Sequence, residues 1–182
     1  NFFGIKTDRF NDKIENKIKE TYPNISVRLN DIKIIFDITK LTINLETKNP
    51  IIIARQQEIN LNNISTIYKI NSIFKREFSI SNLIFDSNQN KIKKVIKLLR
   101  TYNDSPQLMI FDKIIKDGDI KINAKFNFDN NGKLKKDDYE IKSKVNELSL
   151  KLFDQSEVQN LSFELYYTHN NINLSRLRRY EK

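Results

Sequence analysis

The segment DIKIIFDITKLTINLETKNP, residues 31–50, decides the fold class because its apolar residues alternate with polar ones. The apolar residues are, in order, Ile32, Ile34, Phe36, Ile38, Leu41, Ile43 and Leu45. A period of two is typical of a strand with one face buried and the other in water. The phase slips at Thr39–Lys40, and only a bulge or a short reversal there would keep both sets on one face. We therefore expect the two sets to share a single apolar face.

The same alternation extends outward from this segment. It begins at Ile25, slips at Asn30–Asp31, and resumes in residues 51–53 and 59–61. The letters TKNP predict a turn after which Pro50 opens a new strand, and RQQE (residues 55–58) predicts a polar reversal. Apolar positions recur again in EFSISNLIFDS, at Phe78, Ile80, Leu83 and Phe85. The pattern predicts a series of antiparallel strands.

The second half contains the clearest hairpin signal. Alternating apolar residues from Ile120 to Phe128 lead into DNNGK, whose Asn131–Gly132 pair suits a tight turn. The chain returns through residues 139–152 and slips phase before Leu148. LSFELYY and INLSRL add a last pair of strands around the polar turn THNN.

Two segments have helical spacing instead. The first is predicted from Asp8 to Tyr22, with Thr7 or Asp8 capping its first turn. Its apolar stripe consists of Phe10, Ile14, Ile18 and Tyr22. Two interpretations of this stripe stay open: it covers the end of a sheet, or it lies beside a membrane with Phe2 and Phe3 near the interface.

The second helix is predicted over residues 91–103, where Ile92, Val95, Ile96 and Leu99 oppose a basic side. Packing over a sheet edge and contact with anionic lipid are its two interpretations. We expect one unit over residues 1–182, divided into an N-terminal helix (1–23), first strands (24–90), a helix (91–104) and further antiparallel strands (105–182). The predicted fold is mainly β, α+β by content: a curved antiparallel sheet that forms an open groove, with an N-terminal helix and one internal amphipathic helix.

Composition limits the function classes. The net charge of +9 invites nucleic-acid binding. Most lysines are isolated, however, and the two dense basic clusters are not interleaved with aromatic residues as in a stacking platform. The chain has a mean hydropathy of -0.58, and no run of apolar residues is long enough to cross a bilayer. We therefore expect no nucleic-acid partner.

Residues for catalysis are scarce. His169 is the only histidine and falls in the polar turn THNN, and the chain has no cysteine. Asp137 and Asp138 fall in a predicted exposed turn, and three glycines in all argue against a glycine-rich phosphate loop. We expect a protein that is not an enzyme and that uses no cofactor or metal. Because the chain begins with Asn1 and ends within a strand-like pattern, we also expect it to be a piece of a longer protein.

Four segments of the first half of the chain share a family pattern: FGIKTDRFNDKI, ISVRLNDIKI, KLTINLETKNPIII and SIFKREFSISNLIFDS. Together they resemble the N-terminal part of the AsmA-like superfamily of Gram-negative envelope proteins. Gly4, Phe10 and Asn11 match the segment that follows the membrane anchor in this superfamily, and Pro50, Ile51 and Ile53 match the strand after it. The resemblance covers about residues 1–100, and the helix at 91–103 and the scarcity of glycine depart from the family pattern.

The resemblance implies a repeating β-groove protein, an open trough that is apolar inside and carries phospholipid acyl chains towards the outer membrane. It also implies a periplasmic location, an inner-membrane anchor upstream of Asn1, and other envelope proteins as partners. The residues expected to contact lipid are Val27, Leu29, Ile34, Phe36, Ile43, Leu45, Ile53, Ile80 and Phe85. The alternative is a structural or assembly factor for outer-membrane proteins that carries no lipid.

Overall fold

The computed structural model describes residues 3–21, 23–54, 56–70, 80–129, 133–152 and 156–179. Its strands are β1 (Phe3–Thr7), β2 (Ile25–Arg28), β3 (Ile32–Asp37), β4 (Thr42–Lys48), β5 (Ile51–Ala54), β6 (Gln57–Lys69), β7 (Ile80–Ser87), β8 (Asn90–Lys91), β9 (Ile115–Phe128), β10 (Leu134–Lys151), β11 (Glu157–Thr168) and β12 (Asn171–Arg179). Its helices are α1 (Asn11–Thr21), α2 (Ile92–Tyr102) and α3 (Pro106–Ile114). The predictions for Phe2, Tyr22, Phe78 and the Asn131–Gly132 turn fall outside the described residues.

The strands form one open antiparallel sheet, which confirms the predicted fold class. Its main order is β1-β3-β4-β6-β7-β9-β10-β11-β12, with β2 and β5 joined through β6 and β8 joined to β9. Within the described residues, β1 and β12 are the two ends of this order and do not pair with each other. The sheet therefore does not close into a barrel.

The first strands form a three-stranded meander with a kink in the middle. β2 pairs with β5, and β3 pairs with β4. β5 and β4 then pair with the first and second halves of β6, and the register is the same along both halves. The prediction of a turn at TKNP is therefore wrong, because the chain continues in the same direction through Asn49 and Pro50. Asn49 takes a positive φ of 52°, and the Asn30 side chain donates to the carbonyl oxygens of Lys48 (3.0 Å) and Asn49 (3.3 Å). This kink accounts for the slip in alternation at Asn30–Asp31.

Apart from Ile38 and Leu41, which are exposed in the turn between β3 and β4, the two apolar sets of the opening segment share one face, as predicted. Ile34 lies opposite Leu45, and Phe36 lies opposite Ile43, in the β3–β4 pair. Directly opposed residues of an antiparallel pair point to the same side of the sheet. The slip at Thr39–Lys40 is a reversal, and Leu41 lies in that turn with a φ of 48° and an exposed side chain. Leu41 is therefore not part of the shared face.

The N-terminal helix begins at Asn11 and not at the predicted Asp8, and residues 3–7, which lie within the predicted helical segment 1–23, form strand β1. β1 pairs along the edge of β3, where Ile5 lies opposite Ile34. The Thr7 hydroxyl accepts a hydrogen bond from the Arg9 amide (3.2 Å) at the turn before α1. The predicted end of the helix is confirmed to within a residue.

The core lies where α2 covers one end of the sheet. Ile92 and Ile96 of α2 are buried with Ile115, Val145 and Leu148 of β9 and β10. The prediction that this helix packs over the sheet is thus confirmed. The β9–β10 hairpin is confirmed too, with Ala124 opposite Ile141 and a bulge between Val145 and Leu148.

Helix α3 corrects the prediction that residues 105–182 contain only strands. The Ser105 hydroxyl accepts a hydrogen bond from the Leu108 amide (3.3 Å), and Pro106 occupies the first turn. Serine at the N-cap followed by proline is a common helix start, because proline lacks the amide hydrogen that would have no partner there.

Candidate apolar groove

Helix α1 covers one end of the apolar face. Phe10, Ile14 and Ile18 recur every fourth residue, so they lie on one side of the helix and its preceding turn. The Leu29 amide donates to Oε1 of Glu15 (2.6 Å), and Nδ2 of Asn11 donates to the carbonyl oxygen of Asn30 (3.0 Å). These bonds fix the N-terminal half of α1 over the connection between β2 and β3.

The space between α1 and the sheet is a groove with a volume of about 900 Å³. We call it the α1 groove. Its floor consists of Ile32, Ile34, Phe36, Ile43, Leu45 and Tyr68, and the Phe10, Ile14 and Ile18 side chains form its roof. Lys13, Asn16 and Glu20 are the polar residues that line it. The groove is thus apolar inside and polar only along the helix.

Tyr68 is the one floor residue with an ionisable group. Burial raises the pKa of its hydroxyl above the ordinary value of 10.0, because the charged form would lose hydration there. The phenol is therefore neutral at physiological pH. The floor of the α1 groove carries no charge.

The apolar face continues beyond the α1 groove across the later strands. Four aromatic rings, one from each of β7, β9, β10 and β11, follow one another across the sheet, and we call them the aromatic row. Its centroid distances are 5.9 Å from Phe85 to Phe126, 6.5 Å from Phe126 to Tyr139 and 5.6 Å from Tyr139 to Tyr167. Tyr167 lies opposite Ile172 of β12, whose side chain is 68% exposed. With strands about 4.8 Å apart, the face extends for roughly 40 Å from β1 to β12.

The opposite face of the sheet is polar and carries charges of both signs. Lys121 lies 3.8 Å from Asp86, and Arg176 donates to Glu164 at 2.9 Å. The Lys142 ammonium lies 5.4 Å from the centre of the Tyr166 ring. This mixture differs from the continuous basic surface that binding to phosphate backbones requires.

The nine residues expected to contact lipid do not form a single surface. Ile34, Phe36, Ile43 and Leu45 line the α1 groove, Ile80 lies opposite Tyr68, and Phe85 belongs to the aromatic row. Leu29 lies in the connection before β3 and lines a separate crevice beside Asn11 and Asn30. Val27 lies opposite Ile52, whereas Ile53 lies opposite Ser26, so Val27 and Ile53 point to opposite sides of the β2–β5 pair.

Several residues of this face were not among the nine that were expected to contact lipid. Ile32, Tyr68 and the α1 stripe line the groove, and Phe126, Tyr139 and Tyr167 extend the face. The α1 stripe covers the sheet, which agrees with one of its two interpretations. The recurrence of apolar residues at every fourth position was the signal that this helix has one apolar side to place over the sheet.

Other side chains with possible chemistry lie elsewhere. His169 is exposed in its turn, as predicted, and Nε2 lies 3.2 Å from Oδ1 of Asp137. Across the part of the chain that the structure describes, His, Asp and Glu form no group of three or more that could hold a metal ion. No helix within the described ranges has the length and apolar character needed to cross a membrane.

Comparison of the chain with protein-family models, with curated proteins and with solved structures finds no match.

Proposed function

We propose that this protein binds lipid acyl chains in the α1 groove and passes them along the apolar face of its sheet. The α1 groove carries the proposal, because it is an open apolar space of about 900 Å³ beneath an amphipathic helix. Binding sites for small molecules commonly measure about 300–1,000 Å³ and are lined mostly by apolar side chains.

The physical basis of binding is the transfer of hydrocarbon out of water. Each Å² of apolar surface that is buried contributes about 25 cal/mol. The neutral phenol of Tyr68 and the aliphatic floor residues impose no charge on a bound chain. Lys13 and Glu20 lie at the helix side of the groove, where a polar headgroup would remain in water.

The cellular setting belongs to the same proposal and rests on the resemblance to AsmA-like proteins. In that setting the protein lies in the periplasm of a Gram-negative bacterium, anchored to the inner membrane, and carries phospholipid towards the outer membrane. Its non-enzymatic role requires no cofactor.

Native mass spectrometry of gently purified and of delipidated protein tests the proposal. We expect the gentle preparation to carry phospholipid adducts, and we expect Ile43→Asp and Ile80→Asp to fold while retaining less of them. Ile67→Asp is the matched control, because Ile67 lies opposite Asn44 on the polar face. If the parent never carries lipid and both groove variants unfold outright, the apolar face is ordinary core and the proposal fails.

A role in assembling outer-membrane proteins is the second candidate. Strand β12 favours it, because within the described residues β12 pairs only with β11 and exposes Ile172, Leu174 and Leu177. A client strand could add to such an edge through backbone hydrogen bonds. A parent protein that binds an unfolded outer-membrane strand while free of lipid would support this role instead.

A further inference from the structure

Helix α3 exposes large apolar side chains that the groove does not use. None of its residues is buried, and Met109 and Ile110 are 41% and 45% exposed. Phe111 is exposed beside them. A short helix on the surface of a globular domain usually turns its apolar side towards the core. Ile114 of α3 does pack against the core, but Met109, Ile110 and Phe111 remain exposed.

The orientation of α3 is fixed by its contacts with α2. Arg100 of α2 donates to Oδ1 of Asp104 (2.8 Å) and forms an ion pair with Asp112 of α3. Asp112 therefore faces α2. Because successive helix residues are about 100° apart, Ile110 lies on the side opposite Asp112, roughly 160° around the helix axis from it. Lys113 and Met109 lie on the flank between them, roughly 100° and 60° from Asp112.

The surroundings of this apolar patch are basic. Residues 91–119 contain seven lysine or arginine residues and four aspartates, a net charge of +3. Two of the aspartates are paired with Arg100 and two with Lys91, whereas the lysines at 94, 97, 113 and 116 are exposed to solvent. Exposed apolar side chains among lysines complement the surface of an anionic bilayer, where the former enter the headgroup region and the latter meet phosphates.

We propose that α3 docks the protein onto an anionic phospholipid membrane, with Met109 and Ile110 inserted at the interface and the neighbouring lysines held against lipid phosphates. This contact is separate from any anchor upstream of Asn1. It goes beyond the proposed function, since it needs no acyl chain in the α1 groove.

The absence of tryptophan from the chain allows a direct test. Ile110→Trp places a single tryptophan on the outer side of α3, and Ile172→Trp places one at an exposed apolar site on β12. With vesicles that contain phosphatidylglycerol, we expect a blue shift and quenching by brominated lipid for Ile110→Trp only. Vesicles of phosphatidylcholine alone should give a much weaker effect, because the lysines then lack their anionic partners.

A second pair of variants separates apolar insertion from charge. The double change Met109→Asp and Ile110→Asp should lower vesicle binding roughly tenfold or more and leave thermal unfolding nearly unchanged, since both side chains are exposed. Gln107→Asp adds charge to the same helix without removing an apolar side chain and should reduce binding far less.

Three outcomes would overturn the proposal. They are equal quenching of Ile110→Trp and Ile172→Trp, unchanged vesicle binding by the double variant, and a blue shift of Ile110→Trp that depends on protein concentration without vesicles. The last would identify a second copy of the chain as the partner of α3. Loss of lipid adducts in Ile43→Asp reports on the α1 groove, and loss of vesicle binding in the double variant reports on α3, so failure of acyl binding and failure of docking are distinguishable.

Discussion

Neighbouring residues of strand β3 have opposite environments, and this contrast is the clearest residue-scale feature of the groove. Ile34 lies between Ile5 and Leu45, on the floor of the α1 groove. Ile35 lies between Gly4 and Asn44, on the other face. The two isoleucines differ in what they contact and not in their own chemistry.

Ile34→Asp should therefore weaken binding of a fluorescent fatty acid roughly tenfold or more, because a carboxylate would meet the acyl chain. We expect it to lower the free energy of unfolding by less than about 2 kcal/mol, since an open groove lets water reach the new charge. Ile35→Asp is the matched control and should bind the probe like the parent. Equal loss of binding in both variants would mean that the effect comes from the fold and not from the groove.

Asp37, at the end of β3, gives a second residue-scale prediction. Its buried carboxylate accepts hydrogen bonds from the Thr39 hydroxyl (2.6 Å) and the Lys40 amide (3.1 Å), which hold its pKa below the ordinary value of 3.8. A lowered pKa in the folded state means that the charged form stabilises the turn above pH 3.8, and that this stability is lost as pH falls through the lowered pKa.

We expect Asp37→Asn to be less stable than the parent at neutral pH, and the difference to shrink as the pH falls below about 4. Urea unfolding followed by circular dichroism over a range of pH measures this. Thr39→Val removes the largest cause of the shift and should flatten the same pH dependence. A difference between parent and Asp37→Asn that stays constant with pH would disprove the role given to the carboxylate.

At the scale of elements, one glycine joins α2 to the bulge in the β9–β10 pair. Gly118 is buried with a φ of 140°, a conformation that other residues rarely adopt. A Cβ atom there would lie 3.0 Å from Cα of Leu148 and 3.2 Å from Cδ1 of Ile92. The close approach of helix and strands in the core depends on the missing side chain.

Gly118→Ala should accordingly lower the free energy of unfolding by about 1–3 kcal/mol from backbone strain, with a further cost for displacing Leu148. In Gly4→Ala the added Cβ would meet mainly the flexible end of Lys33, at 3.3 Å. That variant should stay within about 0.5 kcal/mol of the parent. Thermal unfolding of the two variants provides the measurement, and equal stability would show that α2 can shift away from β9 at little cost.

The same scale shows why some elements were predictable from sequence and others were not. Strands β3, β4 and β9 and helix α2 have strong periods of their own, because each buries one side. Strand β1 has no such signal, since it exists through pairing with β3, about 30 residues away in the chain. Helix α3 did have a local signal in Ser105–Pro106, but Pro106 was interpreted as marking the end of the preceding helix, because proline also commonly follows a helix C-terminus. The turn at TKNP was wrongly predicted because proline is common in turns and also at bulges within a strand.

The candidate groove was predictable only in part, for a related reason. Alternation predicted that Ile34, Phe36, Ile43 and Leu45 share a face, and the period of four predicted one apolar side of α1. Which strands that side covers depends on hydrogen bonds between α1 and the β2–β3 connection, and these contacts are not local in sequence. Val27 and Ile53 come from separate strands, and only the register of the β2–β5 pair shows that they point to opposite sides.

For the whole molecule, the central question is whether the α1 groove and the aromatic row work as one surface. Cross-strand pairs connect them without interruption, from Leu45 through Thr66 and Leu83 to Phe126. If acyl chains pass along this face, a charge in its middle should slow their passage without emptying the groove beneath α1. If the row only stabilises the sheet, transfer should be insensitive to that charge.

Phe85→Asp separates these possibilities, because Phe85 stacks on Phe126 at 5.9 Å between the groove and the later strands. We expect lipid transfer between donor and acceptor vesicles to slow by roughly tenfold, since the chain must pass a hydrated carboxylate. Adducts at the α1 groove should persist under native mass spectrometry. Ile84→Asp is the control: Ile84 is the next residue back along β7 and lies opposite Ser65 and Lys125 on the polar face. Transfer by Phe85→Asp at the rate of Ile84→Asp would assign the aromatic row to stability alone and confine lipid contact to the α1 groove.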